Sequence, residues 1–301
     1  MTGQSIGEST GRALADGSTR DFWTTFNVTE HHEFSSAAES LEYFHWRNDQ
    51  YFNYINLMPV DGQDGRSVLD FGCGPGHDLV GFGVYSRPSR LVGADISPSS
   101  LAETRYRLSL HDIAAELVLL DPEATRLPFD DASFDHIHCS GVLHHTPDPE
   151  PILRELRRVL RPDGSMNVMV YNRDSLWLHL NVAWQLCIEQ GLYPVDDLMA
   201  AFARSTDTVD CPISVCYRPE AFKALCARAG LAAELTGVAV SMLETRLFHH
   251  RRFAAIADRR LPPESRRFLL DIELDRQGYP MRNGQYAGID ACYRLSVASE
   301  P

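Results

Sequence analysis

Val68-Leu69-Asp70-Phe71-Gly72-Cys73-Gly74-Pro75-Gly76-His77-Asp78 is the stretch that decides how this chain is read. A short apolar strand runs into Asp70, and the backbone then turns through three glycines toward an amphipathic segment. Glycines at alternate positions permit positive φ and carry no Cβ, so a ligand can lie directly against the main chain. Nineteen residues beyond Gly76 the next apolar run, Leu91-Val92-Gly93-Ala94, ends in Asp95. That spacing sets a carboxylate where the ribose hydroxyls of a bound nucleoside lie in nucleotide-binding α/β units. The third glycine arrives one residue too early for the Gly-x-Gly-x-x-Gly of a dinucleotide site. Acids beside the loop would also repel a pyrophosphate, whereas Asp70 and Asp78 would attract a cofactor carrying a cationic amine and a sulfonium.

The chain has 301 residues, of which 44% are apolar, enough for a sizeable core in one large domain with insertions. Its formal charge is -13. Such a surface repels phosphate backbones and anionic lipid, so neither nucleic acid nor a membrane is an expected partner. No apolar run is long enough to span a bilayer. Residues 1–20 are rich in Ser, Thr and Gly, lack an apolar signal core, and read as a flexible tail. Seven cysteines without a CxxC pair suit a reduced, cytoplasmic setting better than a disulfide framework or a zinc site. The histidine pairs His31-His32 and His249-His250 have no carboxylate or cysteine at ligand spacing, and no metal site is expected.

Residues 21–60 carry Tyr43, Trp46, Tyr51 and Tyr54 at helical spacing, which predicts an N-terminal helical lid across the mouth of the main domain. Asp61-Gly62-Gln63-Asp64-Gly65 is a turn-rich break before that domain, residues 61–301. Further strands are expected over 115–120, 135–140, 165–170, 232–238 and 288–297, with helices after Ser97-Pro98 and over 151–160. The alternation predicts an α/β fold, a Rossmann-like, doubly wound parallel sheet of seven strands. Two stretches break it, 173–217 and 243–285, and both read as cap insertions at the carboxyl edge. The first begins apolar on nearly every face, as a helix does when buried all round or when facing a substrate or a second subunit; a homodimer is left open.

By its motifs the chain resembles the class I S-adenosylmethionine-dependent methyltransferases, in the small-molecule branch called methyltransferase type 11. The glycine stretch comes first, then Asp95, then Glu123-Ala124-Thr125-Arg126-Leu127-Pro128-Phe129 with Ser133-Phe134-Asp135. Val142-Leu143-His144-His145 with Asp148-Pro149, and Arg158-Val159-Leu160-Arg161-Pro162-Asp163-Gly164, complete the order. The likeness is strong over 66–172 and weak over 218–300. It implies S-adenosyl-L-methionine as cofactor, with Gly72, Gly74, Gly76 and their backbone around its methionine part. Asp95 would take the ribose hydroxyls and Ile96 the adenine face. Glu123 would accept the adenine amino proton beside the Ala124 N–H; the family usually has Asp there, and Asp121 competes for the role. Ser140 and Gly141 would offer backbone oxygens to the ammonium, while Trp46 and Arg47 close over the cofactor.

Methyl transfer is an in-line displacement at an activated carbon, so the protein chiefly aligns the nucleophile and excludes water. A hydroxyl or carbon nucleophile gains from a general base. His145, after the fourth strand, is the expected base and His144 the second choice. Tyr171, Asn172 and Asp174 follow the fifth strand, as substrate-orienting groups or as turn and cap residues. The expected reaction is O-methylation of a small-molecule metabolite. The alternatives are C- or N-methylation, a non-methylating enzyme using the same cofactor, and a catalytically silent cofactor-binding module.

Overall fold

The computed structural model describes residues 17–29 and 31–298. Most of the expected tail, residues 1–16, lies outside the described residues. The chain opens with helices α1 (Gly17–Thr25) and α2 (Ala37–Asp49), strand β1 (Tyr51–Phe52) and the short helix α3 (Tyr54–Leu57). The main domain follows as β2 (Ser67–Phe71), α4 (His77–Tyr85), β3 (Arg90–Asp95), α5 (Pro98–Leu110), β4 (Glu116–Leu119) and β5 (Phe134–Ser140). A 3-10 turn over Leu143–His145 leads to α6 (Pro149–Val159) and β6 (Leu160–Tyr171). Local chemistry explains the helix starts. Ser97 caps α5, accepting the Ser100 N–H with Pro98 in the first turn, and Asp148 caps α6 ahead of Pro149 in the same way. Along α6, Ile152, Leu153, Leu156 and Val159 form one buried face.

The first insertion holds a π-helix (Trp177–Glu189) and α7 (Leu198–Ala203). After α8 (Pro219–Arg228) and β7 (Leu231–Ser241), the second holds α9 (Met242–Ala257), α10 (Pro263–Leu270) and the short strands β8 (Glu273–Leu274), β9 (Pro280–Arg282) and β10 (Gln285–Tyr286). Strand β11 (Asp290–Val297) ends the fold. The two insertions pack on each other, since Leu178, Val182 and Trp184 of the π-helix share an apolar core with Phe248 of α9 and Phe268 of α10. The helix read as apolar on every face is therefore buried between other helices.

The main sheet has eight strands in the order β1-β7-β11-β6-β5-β2-β3-β4. The seven expected strands are all present, and β1 adds a two-residue edge against β7. The sheet departs from the expected parallel pattern at β11, which runs antiparallel to both neighbours, β6 and β7. The physical reason lies in the connection: the second insertion leaves from the carboxyl end of β7 and stays at that edge, its last strand ending only three residues before β11. Chain arriving at the carboxyl edge must therefore enter the sheet downward. This puts Asp290, its first residue, beside Tyr171, the last residue of β6. Strand β2 is buried throughout, as a central strand covered on both faces should be. No helix among the described residues is long and apolar enough to cross a membrane.

Candidate active site

A cavity of about 730 Å³ lies along the carboxyl edge, between the strand ends, helices α1–α3 and the first insertion. Its floor at one end is the glycine loop. Gly72 has φ +75°, and a Cβ there would collide with Val142. Gly74 has φ +50° and no atom within 4 Å of where its Cβ would be, so the main chain is bare toward the cavity. Gly76 serves packing instead: its Cβ would come within 2.8 Å of Thr104 on α5, and it does not line the cavity.

Asp95 lines the same end, with one carboxylate oxygen accepting the Gly74 N–H at 2.8 Å and the other the Ser97 N–H at 2.8 Å. Burial pushes its pKa up against these donors. Each oxygen retains acceptor capacity for a further hydroxyl. The bare backbone at Gly74 and the half-used Asp95 carboxylate fit a cofactor with a ribose and an extended polar tail.

The other candidates divide. Ile96, Ser140 and Arg47 line the cavity, whereas Asp70, Glu123 and Ala124 do not. Asp70 is buried beneath the loop, where burial above all, with Asp78 and Asp95 adding and His138 opposing, raises its pKa to about 8. Asp78 does reach the cavity. Burial would raise it too, but His138, 3.2 Å away, holds it below the usual carboxylate range. Glu123 is exposed, because the Asp121 carboxylate accepts the Glu123 N–H at 3.0 Å and turns the chain outward. Leu120, Asp121 and Pro122 therefore form the wall expected of Glu123 and Ala124.

Arg47 on α2 reaches in from above. Burial would lower its pKa, and the charge of Asp78, foremost among its neighbours, more than offsets that. Tyr54 bonds the Ser140 hydroxyl at 2.5 Å, tying the N-terminal segment to the end of β5.

The far end of the cavity holds His145, Tyr171, Asp207 and Asp290. His145 is only 5% exposed, and both of its ring nitrogens are engaged. Nδ1 lies 2.6 Å from the Ile213 carbonyl and Nε2 lies 3.2 Å from Asp207. Burial would lower its pKa, but Asp207 and then Cys211 raise it to about 10. Acceptors facing both nitrogens favour a doubly protonated ring, which has no lone pair for a substrate proton, and this argues against the expected general base.

His144 is a poorer choice still, being fully buried, off the cavity, and bonded at Nδ1 by the Tyr171 N–H. Tyr171 stacks on it at 3.7 Å and donates its hydroxyl to Asp207 at 2.9 Å. Asn172 and Asp174 do not line the cavity; they form a turn in which Asn172 accepts the Asp174 N–H at 3.1 Å.

Comparison with known proteins accords with this geometry. A methyltransferase-domain family profile matches residues 69–168, which span the strands that carry the glycine loop and Asp95. Residues 69–168 are a class I S-adenosylmethionine-dependent methyltransferase domain. Among curated proteins, a ubiquinone biosynthesis O-methyltransferase of Idiomarina loihiensis is 32% identical over 40% of this chain and 48% of its own length. A tRNA U34 carboxymethyltransferase of Nautilia profundicola is 31% identical over 40% of this chain and 39% of its own. The chain thus matches less than half the length of either relative. The solved structure of the YcgJ protein from Bacillus subtilis shares the fold, with a TM-score of 0.50 and 19% identity over 82% of this chain and 97% of that one.

Outside the methyltransferase domain the cavity takes groups that sequence reading did not single out: Trp23 and Asn27 near the N-terminus, Asp207 in the first insertion and Asp290 at β11. Asp207 has φ +55°, unusual for a residue with a side chain. No motif marks it in the sequence. Asp290 had a faint signal, as an acid opening an apolar strand after an insertion.

Proposed function

We propose that the protein transfers a methyl group from S-adenosylmethionine to a hydroxyl of a small-molecule acceptor. The observation that carries this reading is a single cavity whose one end has the bare Gly74 backbone and Asp95, and whose other end has Tyr171, Asp207 and Asp290. When bound, the cofactor supplies a methyl carbon activated by its sulfonium. Gly72 and Gly74 would hold its methionine part, Asp95 its ribose and Ile96 its adenine, with Asp121 in the role expected of Glu123. Arg47 and Trp46 would close over it from α2.

Helices α1–α3 act as the lid in this reading, and segments 173–217 and 243–285 as the cap. Together they keep water from the reacting atoms and favour a metabolite over a macromolecule. The charge of -13 supports the same choice against nucleic acid. All seven cysteines are free and buried, which supports a reducing, cytoplasmic setting. Calorimetry with S-adenosylhomocysteine tests the cofactor end. Binding is expected, and Asp95→Ala should weaken it by roughly 1.5–3 kcal/mol, the scale of hydrogen bonds to a charged group. Unchanged affinity in that variant would remove the ribose assignment.

A further inference from the structure

We propose that Asp290 binds and deprotonates the acceptor hydroxyl, and that this hydroxyl is phenol-type, carried on a planar unsaturated ring. The proposal rests on the methyl-transfer reading above. Asp290 stands in register with Tyr171 of β6 and Ala239 of β7, lines the cavity and is only 3% exposed. Its carboxyl receives no hydrogen bond from any described residue, although a buried carboxyl without a partner is costly.

Every other carboxyl on the cavity is engaged. Asp78 pairs with His138, and Asp95 takes the Gly74 and Ser97 N–H groups. Asp121 holds its own turn, and Asp207 accepts from Tyr171 and His145. Asp290 is left for the ligand. Its place along the sheet also suits a nucleophile. The glycine loop and Asp95 lie over β2 and β3, and β11 lies on the opposite side of β5, with β6 between. An in-line displacement needs the attacking atom beyond the methyl carbon, away from the sulfur.

The chemistry favours a hydroxyl. A neutral amine attacks unaided, and a cationic one would meet Arg47 and the His145 imidazolium in the same cavity. A hydroxyl of phenol acidity gains from a base; burial, Glu244 and Asp207 raise the pKa of Asp290, and Arg47 on the same cavity favours its charged, proton-accepting form. Tyr51, Tyr54, Tyr171 and Met169 supply walls for a flat apolar ring. In the step, the hydroxyl proton passes to a carboxylate oxygen of Asp290. The acceptor oxygen bonds the methyl carbon as the carbon–sulfur pair returns to sulfur. A methyl ether, S-adenosylhomocysteine and protonated Asp290 result, and that proton leaves to solvent with the product.

The test compares binding of 2-naphthol and 2-methoxynaphthalene to the S-adenosylhomocysteine-saturated protein by calorimetry. The wild type should prefer the naphthol by about 10-fold or more, as expected for a hydrogen bond to a charged group. Asp290→Asn should lose that preference while binding S-adenosylhomocysteine within two-fold of the wild type, which also reports an intact fold. Asp290→Ser is the second variant, should the amide disturb packing. Preference retained in both variants, or no naphthol binding by a protein that binds S-adenosylhomocysteine, would overturn the role of Asp290. Failure of S-adenosylhomocysteine to bind the wild type would instead overturn the cofactor reading beneath it.

Discussion

His145 shows how surroundings decide what a residue does. It follows β5 at the carboxyl edge, where a base would be useful, yet Asp207 and the Ile213 carbonyl take both nitrogens. Burial alone would have made it a weaker base than free histidine; the anionic partner wins and raises its pKa to about 10. The sign of the stability effect follows. Below the ordinary value of 6.5 the folded and unfolded chains both carry the proton, and the full benefit of the pair is present. As pH rises from there toward about 10, only the folded chain keeps it, and stability falls by up to about 1.4 kcal/mol per pH unit. Denaturant melts at pH 6 to 9 should show this slope in the wild type and a flatter one in His145→Gln. Parallel curves would mean that the ring is neutral. None of this could be read from His144-His145 as letters, because Asp207 lies 62 residues away in the chain.

Among the elements, the first insertion does the most for the site. Its return segment is stitched to the strand ends by the Val215 N–H on the His144 carbonyl at 3.0 Å and the Tyr217 N–H on the Tyr171 carbonyl at 2.8 Å. Thr206 and Ser214 close the loop on itself at 2.6 Å. The His145–Asp207 pair then fastens the loop to the cavity wall. Asp207→Ala would leave a buried imidazolium without its counter-charge, a loss toward the lower end of about 3–5 kcal/mol because the pair borders the cavity. Amide exchange over 206–214 should accelerate in that variant while β2 and β5 stay protected, as hydrogen-exchange mass spectrometry would show. Equal acceleration throughout the sheet would mean that the pair stabilises the whole fold and not this loop. Helix α6 is the contrasting case. Its cap, its apolar face and its stop are all local signals, and it forms where they predict.

At the scale of the molecule, a net charge of -13 opposes the approach of a polynucleotide. A mobility-shift titration with tRNA at about 0.15 M salt should find nothing tighter than nonspecific binding, on the order of 10⁻⁴ to 10⁻⁶ M. Nanomolar binding would overturn the small-molecule acceptor. What the chain determines by itself is everything that depends on neighbours in sequence. Seven strands, the glycine turn at 72–76 and Asp95 follow from apolar runs, φ requirements and spacing, and they build the end of the cavity proposed for the cofactor. Tertiary structure alone decided the rest. The downward entry of β11, the packing of the two insertions into one apolar core and the meeting of His145 with Asp207 are contacts between distant segments. Glu123 lost its expected place to Asp121 through a turn of the kind that only coordinates reveal. The proposed donor end is written in local pattern because backbone conformation and strand spacing are local. The proposed acceptor end is written in charge and burial, which exist only once residues far apart in the chain are brought together.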